Sequence, residues 1–166
     1  MPLIWLLMLG CTDAGPMEPC ASTGVWDMET GGSFNSIHAA LATGAKEICL
    51  GPGTYALSCE PLVGPAFSLI GAGSEVTEVR RPDCYDYIEL DMPGGYRLET
   101  LALTTADFFF NSNDTTELVD VVIRDTLTRG PSFSVAGPLS IDGLEVRDND
   151  LGSASIRGSA QAKSGG

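Results

Sequence analysis

The feature that most restricts the fold of this chain is a repeat in its second half. Three segments align without gaps, namely residues 98–103 (LETLAL), 118–123 (LVDVVI) and 141–146 (IDGLEV). Each segment carries aliphatic residues at its first, fourth and sixth positions, and the first positions lie 20 and 23 residues apart. A period of this size is typical of solenoids, in which one repeat buries its apolar side only against its neighbours.

The repeat predicts a stack of coils rather than a β-sandwich. A coil of about 20 residues holds two or three short strands, and stacking pairs each strand with its equivalent about 4.8 Å away. The aliphatic positions then form ladders inside the stack, and the two-residue gap after the first position marks a bend. Arg-Asp follows the second and third copies at residues 124–125 and 147–148, and Phe133 and Ile156 follow at equal distances.

One short helix is predicted before the repeats. Ser33 can serve as its N-cap, Phe34, Ile37 and Leu41 fall on one face, and Gly44 ends it. Beyond residue 46, short apolar runs alternate with Gly, Pro, Asp and Asn, which is typical of strands joined by turns.

Four segments resemble the pectin lyase-like superfamily of right-handed parallel β-helices. Residues 36–41 (SIHAAL) resemble its capping helix, residues 48–55 (ICLGPGTY) its first coil, residues 69–74 (LIGAGS) its second coil, and residues 98–103 its later coils. The resemblance implies an all-β, right-handed parallel β-helix (solenoid) over residues 33–158, with a short N-terminal capping α-helix. The superfamily includes polysaccharide lyases, hydrolases and adhesins, so the resemblance specifies the fold more closely than the function.

The C-terminal part of the chain predicts an incomplete stack. Residues 155–158 still have the pattern of a coil strand, and residues 159–166 are small, polar and glycine-rich, as in a flexible tail. Because a solenoid needs a cap at each end, we expect the domain to be truncated here, as a fragment of a longer β-helix.

The N-terminus predicts export. Residues 1–10 form an apolar run of signal-peptide length that is too short to span a bilayer. Residues 8–11 (MLGC) resemble the lipobox of bacterial lipoproteins, which implies lipidation of Cys11 and a lipid-anchored linker over residues 11–32. The expected location is the bacterial cell envelope, as an outer-membrane or cell-surface lipoprotein, and the alternative is a secreted protein.

Four cysteines remain after Cys11, namely Cys20, Cys49, Cys59 and Cys84. An even number in an exported chain predicts two disulfides, and all three pairings stay open. No C-x-x-C spacing occurs and His38 is the only histidine, so no metal site is predicted from the cysteines.

The charge of the chain argues against one class of partner. Nine Lys and Arg stand against 22 Asp and Glu, giving a formal net charge of −13. Nucleic acid is excluded as a partner, because its phosphates would be repelled. No cofactor is predicted, and Ca²⁺ would need a cluster of acidic residues on one face.

Two sets of residues are candidates for chemistry. A Ca²⁺-dependent lyase could use a charged face made of Arg124, Asp125, Arg147, Asp148 and Asp150, although a solvated ladder of Arg-Asp pairs explains these residues better. A hydrolase could draw its paired carboxylates from Asp114, Glu117, Asp120, Asp142 and Glu145, with Asp120 and Asp142 at equivalent outward positions. No catalytic motif of the superfamily transfers to these positions.

The expected function is therefore that of an exported, lipid-anchored surface β-helix that acts as a scaffold or glycan-binding face. It has no recognisable catalytic site, its membrane contact is the lipid anchor, and its expected ligand is polysaccharide. The alternative is a fragment of a polysaccharide lyase or glycoside hydrolase of the pectin lyase-like superfamily.

Overall fold

The chain folds as a parallel β-solenoid with one short helix. The computed structural model describes residues 20–58, 62–63, 65–80, 87–125, 132–147 and 155–158. The elements, in chain order, are β1 (Val25–Asp27), β2 (Ser33–Phe34), α1 (Ile37–Ala42), β3 (Glu47–Leu50), β4 (Gly53–Ala56), β5 (Leu62–Val63), β6 (Phe67–Gly71), β7 (Thr77–Arg80), β8 (Tyr87–Met92), β9 (Tyr96–Glu99), β10 (Ala102–Thr104), β11 (Asp107–Ser112), β12 (Thr116–Val119), β13 (Val122–Arg124), β14 (Ser132–Val135), β15 (Leu139–Asp142), β16 (Glu145–Arg147) and β17 (Ser155–Gly158).

The strands form three sheets, which we call A, B and C. Sheet A has the order β15-β12-β9-β6-β3-β1-β2, sheet B the order β16-β13-β10-β7-β4, and sheet C the order β17-β14-β11-β8-β5. From β3 onward, consecutive strands fall in different sheets, and each strand pairs in parallel with its equivalent one unit away. Five three-strand units stack in this way, which confirms the predicted parallel solenoid.

The interior is built from ladders of aliphatic and aromatic side chains. In sheet A the register aligns Ile48, Leu69, Leu98, Leu118 and Ile141. In sheet B it aligns Val79, Leu103, Ile123 and Val146. These ladders contain the first and sixth positions of the repeat, and Phe133 also pairs with Ile156 in sheet C, as predicted. Equivalent residues stack because identical shapes fill the narrow interior and exclude water.

A left-handed residue makes the bend between sheets A and B in three successive units. Thr100, Asp120 and Gly143 have φ values of 51°, 50° and 71°, and each lies in the two-residue gap of its repeat. A Cβ on Gly143 would collide with Oδ1 of Asp120. Asp120 is thus equivalent to Gly143, and Asp142 pairs in register with Val119. The prediction that Asp120 and Asp142 occupy equivalent positions was wrong, because Asp120 aligns with Gly143 and Asp142 aligns with Val119.

The N-terminal end of the stack is covered by β1, β2 and α1. Strand β1 pairs antiparallel with both β2 and β3, so the described domain begins before the boundary predicted at residue 33 and includes part of the expected linker 11–32. The N-cap of α1 is Ser36, whose Oγ accepts a hydrogen bond from the backbone N–H of Ala39 at 3.1 Å. Ser33, the predicted N-cap, lies in β2 instead.

The turn between β1 and β2 is fixed by a buried carboxylate. Asp27 accepts hydrogen bonds from Thr30 Oγ1 at 2.7 Å and from the backbone N–H of Glu29 at 2.9 Å. These hydrogen bonds, above all the one from Thr30, lower the pKa of the Asp27 carboxyl below its ordinary value. The ionised carboxylate therefore helps to hold the cap together.

One disulfide fastens the segment that precedes the cap to sheet A. Cys20 and Cys49 are joined, with their Cα atoms 5.4 Å apart. The hydroxyl of Tyr55 adds a second tie, because it accepts from Gly24 N at 3.0 Å and donates to Gly51 O at 2.9 Å. Cys59 and Cys84, the other two cysteines expected in disulfides, lie outside the described residues.

Candidate functional site

The structure brings two of the predicted charged residues together on the outer face of sheet B. Arg124 and Arg147 are directly paired in the parallel register of β13 and β16. Arg124 reaches Glu78 on β7, Nη2 to Oε2 at 3.5 Å, and this ion pair crosses the intervening strand β10. The same glutamate accepts a hydrogen bond from Thr104 Oγ1 at 2.8 Å.

Arg147 extends still further along the same face. Its Nη2 contacts Glu75 Oε1 at 2.9 Å, in the connection before β7, and its Nη1 lies 3.8 Å from Glu145 Oε1. Beneath these crossing side chains Ala102 and Val122 are only 0% and 5% exposed, although their register partner Glu78 points outward. The charged side chains thus cover the small residues of the sheet, and their charges are paired within the protein.

Of the remaining members of the predicted charged face, the structure describes Asp125 alone. Asp125 is exposed at a left-handed position, with φ of 55°, directly after Arg124. Asp148 and Asp150 lie outside the described residues, as does the predicted lipidation site Cys11. The described part of the face is therefore a ladder of ion pairs, and each such exposed pair contributes little to stability.

A groove lies along the outer face of sheet A. It has a volume of about 360 Å³ and is open to solvent. It crosses β3, β6, β9 and β12, so at a strand spacing of about 4.8 Å it runs for about 14 Å along the stacking axis. The residues that line it are Lys46, Glu47, Ala66, Phe67, Ser68, Gly94, Gly95, Tyr96, Arg97, Thr115 and Glu117.

The groove lies where one small residue interrupts a row of long side chains. The register aligns Glu47, Ser68, Arg97 and Glu117, so a serine lies between two long charged side chains. At the adjacent corner between sheets C and A, Gly95 has φ of 83°, and a Cβ there would collide with the carbonyl oxygen of Thr115. Close stacking of the corner therefore forbids a side chain that would fill the groove.

Arg97 is the fixed element of the groove wall. Its Nε and Nη2 contact Glu99 Oε2, both at 2.8 Å, and its Nη1 donates to Glu117 Oε2 at 3.0 Å. The hydrogen bond to Glu99, with the negative charges of Glu99 and Glu117, raises the pKa of the Arg97 guanidinium. Both carboxylates hold the guanidinium in place, and 41% of the Arg97 side chain and 38% of the Glu117 side chain remain exposed.

The other end of the groove carries two charged side chains, Lys46 and Glu47. Lys46 and Glu47 are exposed and form no ion pair with any residue that the structure describes. Ser68 lies next to Glu47 in the row and is half-buried. The polar groups available to a ligand are therefore the Glu47 carboxylate, the Ser68 hydroxyl and the Lys46 ammonium.

Of the carboxylates considered for hydrolysis, Asp120 and Asp142 are neighbours at the bend between sheets A and B, where the backbone N–H of Asp120 donates to the carbonyl oxygen of Asp142 at 2.8 Å, and both residues are exposed. The other three are not brought together. Glu117 lies on sheet A and is bound to Arg97, whereas Glu145 lies on sheet B beside Arg147. Asp114 is exposed in the turn after β11, where its Oδ1 accepts from the backbone N–H of Thr115 at 2.7 Å. These three residues thus occupy separate positions around the coil and do not form a pair across one site.

Two further features of the described residues bear on function. Among them, no group of three or more His, Cys, Asp and Glu side chains is arranged to hold a metal ion. Within the same part of the chain, the helices include none with the length and apolar character needed to cross a membrane.

Comparison with known proteins adds no relative. No family model matches the chain, and comparisons with curated proteins and with solved structures give no match. The assignment of a parallel β-solenoid therefore stands on the strand register alone.

Proposed function

We propose that this protein is an exported surface module of the bacterial cell envelope that binds a glycan in the groove on sheet A. The observation that carries the proposal is the groove itself, a concave strip about 14 Å long that follows the stacking axis across four strands. An elongated groove built from repeating units suits a linear polymer, because each unit of the protein meets an equivalent unit of the ligand.

The chemistry of the groove fits a sugar ring. Its lining includes the small residues Ala66, Gly94 and Gly95, against which the C–H face of a ring can pack. Its walls carry carboxylate, hydroxyl and ammonium groups at Glu47, Ser68 and Lys46, which can bond to ring hydroxyls. Small apolar residues beside hydrogen-bonding side chains match the two kinds of surface that a sugar presents.

Sheet B has the complementary role of a scaffold face. Two of its arginines, Arg124 and Arg147, are engaged by Glu75, Glu78 and Glu145, so binding a ligand to them would first require breaking internal ion pairs. The crossing side chains also shield the sheet from water. We infer that this face maintains the stack and that sheet A carries the ligand.

The proposed location has separate support. The apolar run at residues 1–10 and the lipobox-like residues 8–11 support export and lipidation at Cys11. The joined pair Cys20–Cys49 supports an oxidising compartment, in which disulfides persist. Membership of the pectin lyase-like superfamily is part of the same proposal, and it is supported by the parallel solenoid and by the resembling segments at residues 36–41 and 69–74.

The proposal is tested by filling the groove. Ser68→Trp places a large side chain between Glu47 and Arg97, and Thr54→Trp places the same side chain at an exposed position on sheet B. Binding of chitosan, chitin, cellulose and maltose oligosaccharides would be measured by calorimetry for the wild type and both variants, with circular dichroism as the check on folding.

We expect at least one oligosaccharide series to bind the wild type and Thr54→Trp, and binding to be lost in folded Ser68→Trp. Failure of every series to bind the wild type would reject the proposed function. Equal binding by both tryptophan variants would reject the groove as the site.

A further inference from the structure

We infer that the groove on sheet A selects glycans that carry free amino groups, that is, cationic amino sugars rather than neutral or acidic ones. This inference rests on the proposed function and adds the charge class of the ligand. It follows from the positions of the charged groups in the groove and from the ion pairs that some of them form within the protein.

The first step concerns Arg97, whose positive charge is not available to an acidic ligand. Glu99 and Glu117 both bind its guanidinium, at 2.8 Å and 3.0 Å. The three side chains together carry one excess negative charge. Oε1 of Glu117 accepts no hydrogen bond from a described residue, so this carboxylate keeps an oxygen for a donor from the ligand.

The second step concerns the opposite end of the row, where Glu47 has no cationic partner among the described residues. Ser68 follows it in the register. A carboxylate beside a hydroxyl offers acceptors to a compact ammonium group, which has three N–H donors and no acceptor of its own. An N-acetyl group at the same place would leave one N–H donor and no positive charge, so the interaction with the carboxylate would be weaker.

The third step concerns Lys46, the groove's other cation. Its ammonium lies at the end of a flexible four-carbon chain, and the side chain is exposed, so it can turn towards solvent when a cationic ligand enters. Arg97 cannot do this, because two carboxylates hold it. With Lys46 counted, the charges on and beside the groove, from Glu47, Glu99 and Glu117 against Arg97 and Lys46, sum to one negative charge.

The charge of the whole chain acts in the same direction. A net charge of −13 repels acidic polymers and attracts cationic ones over about one Debye length. Such long-range attraction is not specific for the groove, so a test must separate it from contact with Glu47.

The test compares two ligands that differ only in N-acetylation. Chitosan oligosaccharides and chitin oligosaccharides of equal length would be titrated into the wild type, into Glu47→Gln and into Glu145→Gln. Glu145 is an exposed carboxylate on sheet B, so its variant removes the same charge at a distance from the groove.

We expect the wild type to bind the chitosan oligomer about two- to fivefold more tightly for each ammonium–carboxylate contact, and the preference to shrink as salt is added. Glu47→Gln should lose most of this preference, whereas Glu145→Gln should keep it.

Equal affinity for the two oligomers would overturn the inference while leaving the proposed glycan site intact. A preference for chitosan that both variants reduce equally would also overturn it, since the attraction would then come from the overall charge. If neither oligomer bound, both the inference and its use of this groove would be rejected.

Discussion

Replacing Leu118 by alanine removes one interior residue of the ladder inside sheet A. Leu118 is 0% exposed and lies in register between Leu98 and Ile141, so its side chain contacts the interior of both neighbouring units. A solenoid is held together chiefly by contacts between adjacent units, and this substitution weakens two of them at once.

The expected loss of stability is about 2–5 kcal/mol, because the substitution removes buried methyl and methylene groups and leaves a cavity. With a loss of about 3 kcal/mol and an m value of about 2 kcal/mol per M, the urea midpoint falls by about 1.5 M. The measurement is urea unfolding followed by far-UV circular dichroism.

The matched control is Val76→Ala, because Val76 is 51% exposed and contributes apolar area that is already in water. Its expected effect is within about 0.5 kcal/mol. If Leu118→Ala lowered the midpoint no more than Val76→Ala, the internal ladder could not be the main stabilising element and the reasoning would fail.

Three further predictions concern the bend, the disulfide and the cap. Gly143→Ala should destabilise the protein by at least about 1 kcal/mol more than Gly44→Ala in thermal unfolding, since both have positive φ but only Gly143 would place its Cβ against another side chain. Reduction of the Cys20–Cys49 disulfide, which joins residues 29 apart, should cost about 2–4 kcal/mol, and reductant should leave a double serine variant unchanged. The folded-state pKa of the Asp27 carboxyl is lowered from 3.8, so the ionised carboxylate should stabilise the fold above pH 3.8 and lose this effect as the pH falls further. The variant Asp27→Asn should therefore be less stable than the wild type near neutral pH, and this difference in stability should vanish in acid. An unchanged difference in acid would contradict the role given to the carboxylate.

The ladders could be predicted from the sequence because their signal is local and repeated. The aliphatic residues of segments 98–103, 118–123 and 141–146 recur at fixed positions, and the register places them beside one another. The bend was also foreseeable, since a two-residue gap interrupts each repeat. Which residue of the gap adopts positive φ was not, because Thr100, Asp120 and Gly143 share no side-chain type.

The groove could not be predicted because it depends on the register between distant strands. Ser68 aligns with Arg97, although the two residues are separated by an irregular insertion that breaks the period seen later in the chain. The start of the domain was missed for a similar reason. Strand β1 is only three residues long and pairs antiparallel, so it carries no trace of the repeat.

The ion pairs that Arg124 and Arg147 form across sheet B could not be predicted from the sequence either. The Arg-Asp repeat placed Arg124 and Arg147 side by side, but their carboxylate partners Glu78 and Glu75 come from a unit that lacks this motif. Only the stacking order of the strands shows that these side chains cross the sheet and meet.

The location of the ligand is tested most directly by a ¹H–¹⁵N NMR titration with a chitosan oligosaccharide. We predict that the backbone amides of Ser68, Gly94, Gly95 and Arg97 shift progressively with ligand, while those of Ala102 and Arg124 on sheet B stay in place. Shifts concentrated on sheet B, or none on sheet A at saturating ligand, would contradict the groove as the binding site.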